Sequence, residues 1–178
     1  MKTISKGFTL IELLIVIAIL GILAVVVLVV INPGERQAQA RDTGRISSVT
    51  QLGRSLQAYY STKSAYPEVG SWANDLITSG ELSTFPSGIA YTYNNVSACT
   101  IDSYVQPGID GTYCYGEDQV NGNGALVFAK AESTTYRSKC VSPEEAYFVF
   151  STEDSRGGII CSSGDPVPWS AGSMTYAP

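Results

Sequence analysis

The chain has 178 residues, with 11 Lys and Arg against 16 Asp and Glu, a net charge of −5 and no histidine. That length suits one modest domain plus an extended element and leaves no room for two full cores. An acidic balance argues against general nucleic-acid affinity, because phosphate neutralisation needs clustered Lys and Arg. Without histidine, most catalytic triads and acid–base schemes fall away, and Gly122 and Gly124 lack the strand-then-helix setting of a phosphate loop. No enzyme is expected.

Residues 1–7 are short and basic, with Lys2 and Lys6, and Leu13 to Ile31 is an uninterrupted run of uncharged, almost wholly apolar residues. Three readings compete for this segment. A cleaved secretory signal has Ala38-Gln39-Ala40 in its favour. The apolar run, however, exceeds the usual core of about 7–15 residues, and that tripeptide lies beyond Pro33 and Gly34. A permanent anchor fits better, since roughly 20 apolar residues span a bilayer as a helix. The two lysines then place this end in the cytoplasm. An anchor alone leaves Glu12 unexplained: a carboxylate in a membrane segment is a functional suspect. The bland alternative is that Glu12 sits near the interface, one turn from the start. The third reading is a filament-subunit helix.

Lys6-Gly7-Phe8-Thr9-Leu10-Ile11-Glu12-Leu13 resembles the class III signal of bacterial type IV pilins and of the pseudopilins of type II secretion. The resemblance implies cleavage after Gly7 by a membrane prepilin peptidase, N-methylation of the new terminus Phe8, and an assembly role for Glu12. In family filaments the N-terminal helices bundle in a dry core, where each buried carboxylate pairs with the α-ammonium of a neighbour. An unpaired buried charge is costly and a paired one is tolerated, so the charge would select register more than add stability.

Farther along, Asn32-Pro33-Gly34 interrupts the helix. Pro33 and Gly34 predict a kink or locally melted stretch; the other reading makes Asn32 an N-cap and Pro33 the first residue of a second helix. From Glu35 to about Tyr60, Ala38, Ile46, Val49, Leu52, Leu56 and Tyr59 or Tyr60 recur at helical spacing, forming a stripe that needs a sheet to cover it. Gly44 and Gly53 weaken this helix slightly, for which close packing on the sheet is one reason. Arg36, Arg41, Arg45 and Arg54 fall on one flank, read as a solvated or inter-subunit face. Phe8 to Tyr60, mostly helical, makes a rod of roughly 80 Å.

Residues 61 to 124 are rich in turns. Ser71 to Thr78 predicts a short helix around Trp72, and Ile89 to Tyr93 a strand. Tyr104, Tyr113 and Tyr115 among glycines suggest a convoluted surface loop held by sulfur. Ala125–Ala131, Ala146–Ser151 and Gly158–Ser162 are better strand candidates. A three- to four-stranded antiparallel meander on one long amphipathic helix is the economical solution, again similar to a pilin head. The expected fold is α+β. Its parts are leader 1–7, hydrophobic transmembrane and filament-core helix 8–31, kink and amphipathic helix 32–60, and globular head 61–178 with variable loop, meander and disulfides.

Cys99, Cys114, Cys140 and Cys161 form an even set in an exported domain and read as two disulfides. Three connectivities exist; Cys99–Cys114 and Cys140–Cys161 are favoured because each closes a local loop, the second like the C-terminal disulfide region of many pilins. No metal or other cofactor is expected. Asp102, Asp110, Glu117 and Asp118 lack calcium-loop spacing, and the sequon Asn95-Val96-Ser97 carries little weight. The function implied by the resemblance is a structural pilin of a surface filament supporting adhesion, motility or DNA uptake. Its partners would be identical subunits, the prepilin peptidase, the membrane assembly machinery and, before assembly, the inner membrane. A pseudopilin of a secretion or competence system, or a monomeric anchored binding domain, are the alternatives.

Overall fold

A computed structural model describes residues 7–94, 96, 112–117, 124–166 and 174–177. Thr9 opens the first helix, α1, Leu10–Ile31, none of whose residues is buried. The helix stops at Asn32, which adopts left-handed backbone (φ 45°, ψ 78°). Two causes converge there. Proline at the next position disfavours helical backbone at the residue before it, and Asn tolerates the left-handed region better than most. Asn32 Oδ1 then accepts the Glu35 amide at 3.4 Å, and Pro33 is the first residue of α2, Pro33–Lys63. The break is therefore a single residue that ends one helix and caps the next. Pro33 and Gly34 are themselves helical, so the N-cap reading of this stretch is the one observed.

Helix α2 runs three residues past the expected Tyr60. It closes at Ser64, whose left-handed backbone lets its amide reach the Tyr60 carbonyl at 2.8 Å. Helix α3, Trp72–Thr78, buries Trp72, Ala73 and Leu76. Four strands follow: β1 Cys114–Glu117, β2 Ala125–Lys130, β3 Glu145–Ser151 and β4 Arg156–Ser162, with a short helix α4, Thr134–Arg137, between β2 and β3. The sheet is an antiparallel meander in the order β1-β2-β3-β4. A long N-terminal helix packed on a small antiparallel sheet is the expected α+β, pilin-type architecture.

Alternation along the strands divides the core. Val49, Leu52 and Leu56 of α2 meet Tyr115, Ala125, Val127, Ala129 and Phe150 on one face of the sheet, with Trp72 and Leu76 closing the end. On the opposite face Cys114, Leu126, Phe128, Tyr147, Val149 and Ile160 pack together, with Met174 and Tyr176 against them. Every residue of β2 is buried. A strand covered on both faces reads as a continuous apolar run, which is what Ala125–Ala129 looks like.

Two sequence expectations change. Ile89–Tyr93 forms no strand and lies as irregular chain along α2. Tyr113 and Tyr115, read as part of a surface loop, are 1% and 0% exposed, and Cys114–Glu117 is strand β1. Tyr115 stacks on Trp72 at 4.9 Å between ring centroids, and its hydroxyl donates to the Pro67 carbonyl at 2.7 Å. Tyr113 meets Phe85 edge-on at 6.2 Å, so both tyrosines belong to the Trp72–Phe85 aromatic cluster of the core. Tyr104 lies outside the described residues.

The two helical glycines differ in what they permit. A Cβ at Gly53 would stand 2.2 Å from the Phe150 ring and 2.7 Å from its Cβ, whereas one at Gly44 would meet only the tip of Ile89 at 2.7 Å. Gly53→Val is expected to destabilise the head by about 1–3 kcal/mol through overpacking. Gly44→Ala, whose neighbour is a flexible side-chain end, is expected to be neutral or to stabilise by up to about 1 kcal/mol through helix propensity. Thermal unfolding of both variants checks the contrast.

Candidate functional site: the N-terminal segment and its joint to the head

The N-terminal site is built by a cap. Thr9 Oγ1 accepts the Glu12 amide at 3.3 Å, and Glu12 Oε2 accepts both the Thr9 amide at 2.8 Å and the Thr9 hydroxyl at 2.7 Å. This reciprocal capping box satisfies orphan donors of the first turn and places an anion near the positive end of the helix dipole. Phe8 lies immediately outside the cap and is 83% exposed. Gly7 precedes it with open space around its α-carbon. From Leu10 to Ile31 the helix is long and apolar enough to cross a membrane. Glu12 is its only charged residue.

Such a surface has two stable surroundings. Lipid is one, and a bundle of other apolar helices is the other. In either case Glu12 is the one side chain that distinguishes positions along the helix.

The joint between α2 and the head holds a group of buried charges that the sequence did not announce. Arg45, expected on a solvated or inter-subunit flank, has a side chain 0% exposed, as do those of Asp42 and Glu132. Arg45 Nη1 donates to Asp42 Oδ1 at 2.8 Å and to Glu132 Oε2 at 3.0 Å, and Nη2 donates to the Ile89 and Ala90 carbonyls. The guanidinium lies 3.9 Å from the Tyr91 ring centroid. Arg41, partly exposed, adds a two-pronged contact to Glu132, Nε–Oε2 at 2.9 Å and Nη2–Oε1 at 3.0 Å. Two cations thus face two carboxylates. Arg36 and Arg54 remain on the exposed side, as expected.

Glu132 is the hub of this joint. Besides the two arginines it accepts the amides of Thr92 and Tyr93, and its own amide donates to Asp42. Burial alone would raise its carboxyl above the usual range. The hydrogen bonds from Arg41, the Thr92 amide and Arg45 outweigh burial and pull it down to about 2. About two turns earlier on α2, Glu35 accepts the Thr134 and Thr135 amides at 3.0 Å each and so caps α4. Glu35, Asp42 and Arg45 therefore tie the start of α2 to the β2–α4 corner and to the 89–94 segment. Only a pairing 90 residues apart reveals this, and the Asp42–Arg45 spacing of one helical turn was the sole local hint.

The remaining predicted residues fall as follows. Cys140 and Cys161 are joined by a disulfide that ties the loop before β3 to β4. Closing a loop with a sequence separation of 21 contributes about 3 kcal/mol on the chain-entropy view. Cys114 sits buried on β1, while Cys99 lies outside the described residues, as do Asn95, Asp102, Asp110 and Asp118. Among the described residues no group of three or more His, Cys, Asp and Glu is placed to hold a metal ion.

Comparison with known proteins returns one match. Residues 3–28 fit the family described as the prokaryotic N-terminal methylation motif. No curated protein and no solved structure matches the chain. The matched stretch covers Gly7, Phe8, Thr9 and Glu12 together with most of α1. Residues 3–28 of this chain accordingly carry the prokaryotic N-terminal methylation motif, the class III signal peptide that is the hallmark of type IV pilins and pseudopilins.

Proposed function

We propose that this protein is the structural subunit of a type IV pilus-type filament at the cell surface. The observation that carries the proposal is the fully exposed apolar helix α1, headed by a methylation motif and followed by a separate packed head. On this reading the precursor enters the inner membrane with Lys2 and Lys6 in the cytoplasm. The prepilin peptidase then cuts between Gly7 and Phe8, and Phe8 is N-methylated. The membrane assembly machinery lifts α1 out of lipid into a bundle of identical helices. Assembly itself makes and breaks no covalent bond in the subunit, so its energetic task is exchange of one apolar surrounding for another.

Several features support a load-carrying role for the head. The buried charge joint fastens the β2–α4 corner to α2, and the Cys140–Cys161 bridge fastens the loop before β3 to β4. A pseudopilin shares the same N-terminal chemistry, and filament length separates the two.

The test is mass spectrometry of the protein recovered from cells, together with electron microscopy of the sheared surface fraction. The expected result is a mature chain starting at methylated Phe8 and long filaments that vanish when this gene product is removed. A mature protein that keeps Met1 through Gly7 overturns processing. Correct processing with only short periplasmic structures assigns it as a pseudopilin. As a further expectation, Gly7→Ile abolishes cleavage and leaves the precursor in the membrane, read as a retained leader by mass.

A further inference from the structure

The face of the sheet turned away from α2 holds a second group of charges, of which Lys130 and Asp165 are nearly buried and Glu145 is half exposed. Lys130 stands on β2 directly across from Tyr147 on β3, and its side chain is 11% exposed. Its Nζ lies 3.1 Å from Glu145 Oε2 and 3.8 Å from Asp165 Oδ1, beside the Tyr147 ring. Asp165 follows β4, and its side chain is 2% exposed. Tyr147 donates to Asp165 Oδ1 at 3.2 Å, whereas Asp165 Oδ2 is buried with no hydrogen-bond partner among the described residues. A buried carboxylate oxygen without a donor is costly, and an ordinary ion pair would have aimed both oxygens at donors.

An amine and a carboxyl group with one bare oxygen, both nearly buried, thus lie beside a second carboxylate, Glu145, whose side chain is 47% exposed. From this arrangement we propose that Lys130 and Asp165 condense into an intramolecular amide, with Glu145 as the proton carrier. Glu145 first moves one proton from the Lys130 ammonium to the Asp165 carboxylate, leaving a neutral amine and a neutral acid. The Nζ lone pair attacks Asp165 Cγ and forms the N–C bond. Glu145 takes a second N–H proton and delivers it to the departing hydroxyl. The C–O bond breaks, one water leaves and Glu145 ends ionised as it began. No oxidant, reductant or activating group is needed.

Proximity supplies the drive: oriented groups reach effective concentrations on the order of 10⁵ M or more. Exclusion of water disfavours the reverse hydrolysis. The bond would join β2 to the segment beyond β4 and enclose the Cys140–Cys161 bridge in a larger covalent loop. This inference concerns the head alone and does not depend on filament formation.

The test is intact-mass measurement of the full-length mature protein in detergent after reduction of its disulfides, followed by peptide mapping. The expected result is a mass lower by one water than the processed sequence requires, with a branched peptide joining Lys130 to Asp165. Lys130→Arg and Asp165→Ala each restore the unmodified mass. Glu145→Gln slows formation on the order of a hundredfold, the scale of general acid–base assistance. An unshifted wild-type mass, or Lys130 recovered as a free amine that takes an acylating label after unfolding, overturns the proposal. So does a water lost instead at an Asp-Gly succinimide such as Asp110-Gly111, because Lys130 then stays free. The wild-type measurement decides the matter even if a variant fails to fold.

Discussion

Glu132→Ala is expected to cost the head about 3–5 kcal/mol, the scale of breaking one side of a buried ion pair. The substitution leaves the Arg45 guanidinium buried against Asp42 alone and strands the Thr92 and Tyr93 amides that Glu132 accepts. It also frees Arg41, whose two donors both reach this carboxylate. Near-ultraviolet circular dichroism, sensitive to buried Trp72, follows unfolding in denaturant. A midpoint equal to that of the wild type would remove Glu132 from its central place.

The same residue sets an acid limit. Its carboxyl is held from an ordinary value of 4.5 down to about 2 in the folded state. A depressed carboxyl contributes stability that is present above the unfolded value and lost as pH falls through the folded one. The wild-type head should therefore weaken between about pH 4.5 and pH 2. Glu35, held low by the α4 amides against the opposing effect of burial, acts in the same direction. The curve for Glu132→Gln should be flatter over that window and lower at neutral pH. Parallel curves for the two proteins would show that this carboxyl does not govern acid behaviour.

Loss of filaments from Glu12 variants is the second large effect, and two substitutions separate its causes. Glu12→Ala removes the charge and the capping box together. Glu12→Gln keeps an amide oxygen able to accept from Thr9, since Gln serves as well as Glu at this capping position. Both variants should insert in the membrane, because the apolar length of α1 is untouched. Both should yield fewer filaments by on the order of tenfold or more, the scale of one desolvated charge pair made in a single register. Immunoblots of sheared and membrane fractions read the two pools. Normal filament yield from Glu12→Gln would mean that the cap, and not the charge, is what matters at this position.

What could be read early was whatever is local. The apolar run, the Gly7-Phe8-Glu12 spacing, the amphipathic stripe on α2 and three of the four strands are patterns within a few residues of themselves. Strand β1 escaped because four residues with Gly116 among them carry little alternation, and because Tyr113 and Tyr115 suit a surface loop as well as a core. Ile89–Tyr93 has the composition of a strand. Its neighbour, however, is α2, whose Arg45 takes the Ile89 and Ala90 carbonyls that a sheet would otherwise have used.

The sequence by itself determined a basic leader ahead of a methylation motif, one helix long and apolar enough to cross a membrane, and a disulfide-bearing α+β head. Those properties follow from length, hydropathy and motif spacing, which do not depend on distant contacts. Only the tertiary structure decided which charges are buried. An arginine on a polar helix flank is solvated or enclosed according to what packs over it. Here Glu132, Thr92 and Tyr93 arrive from far along the chain to enclose Arg45. The same holds for Lys130, Glu145 and Asp165, which the sheet register and the turn after β4 bring together. Desolvation of a charge is a property of the assembled surroundings, so it has no signature in the residues that bear it.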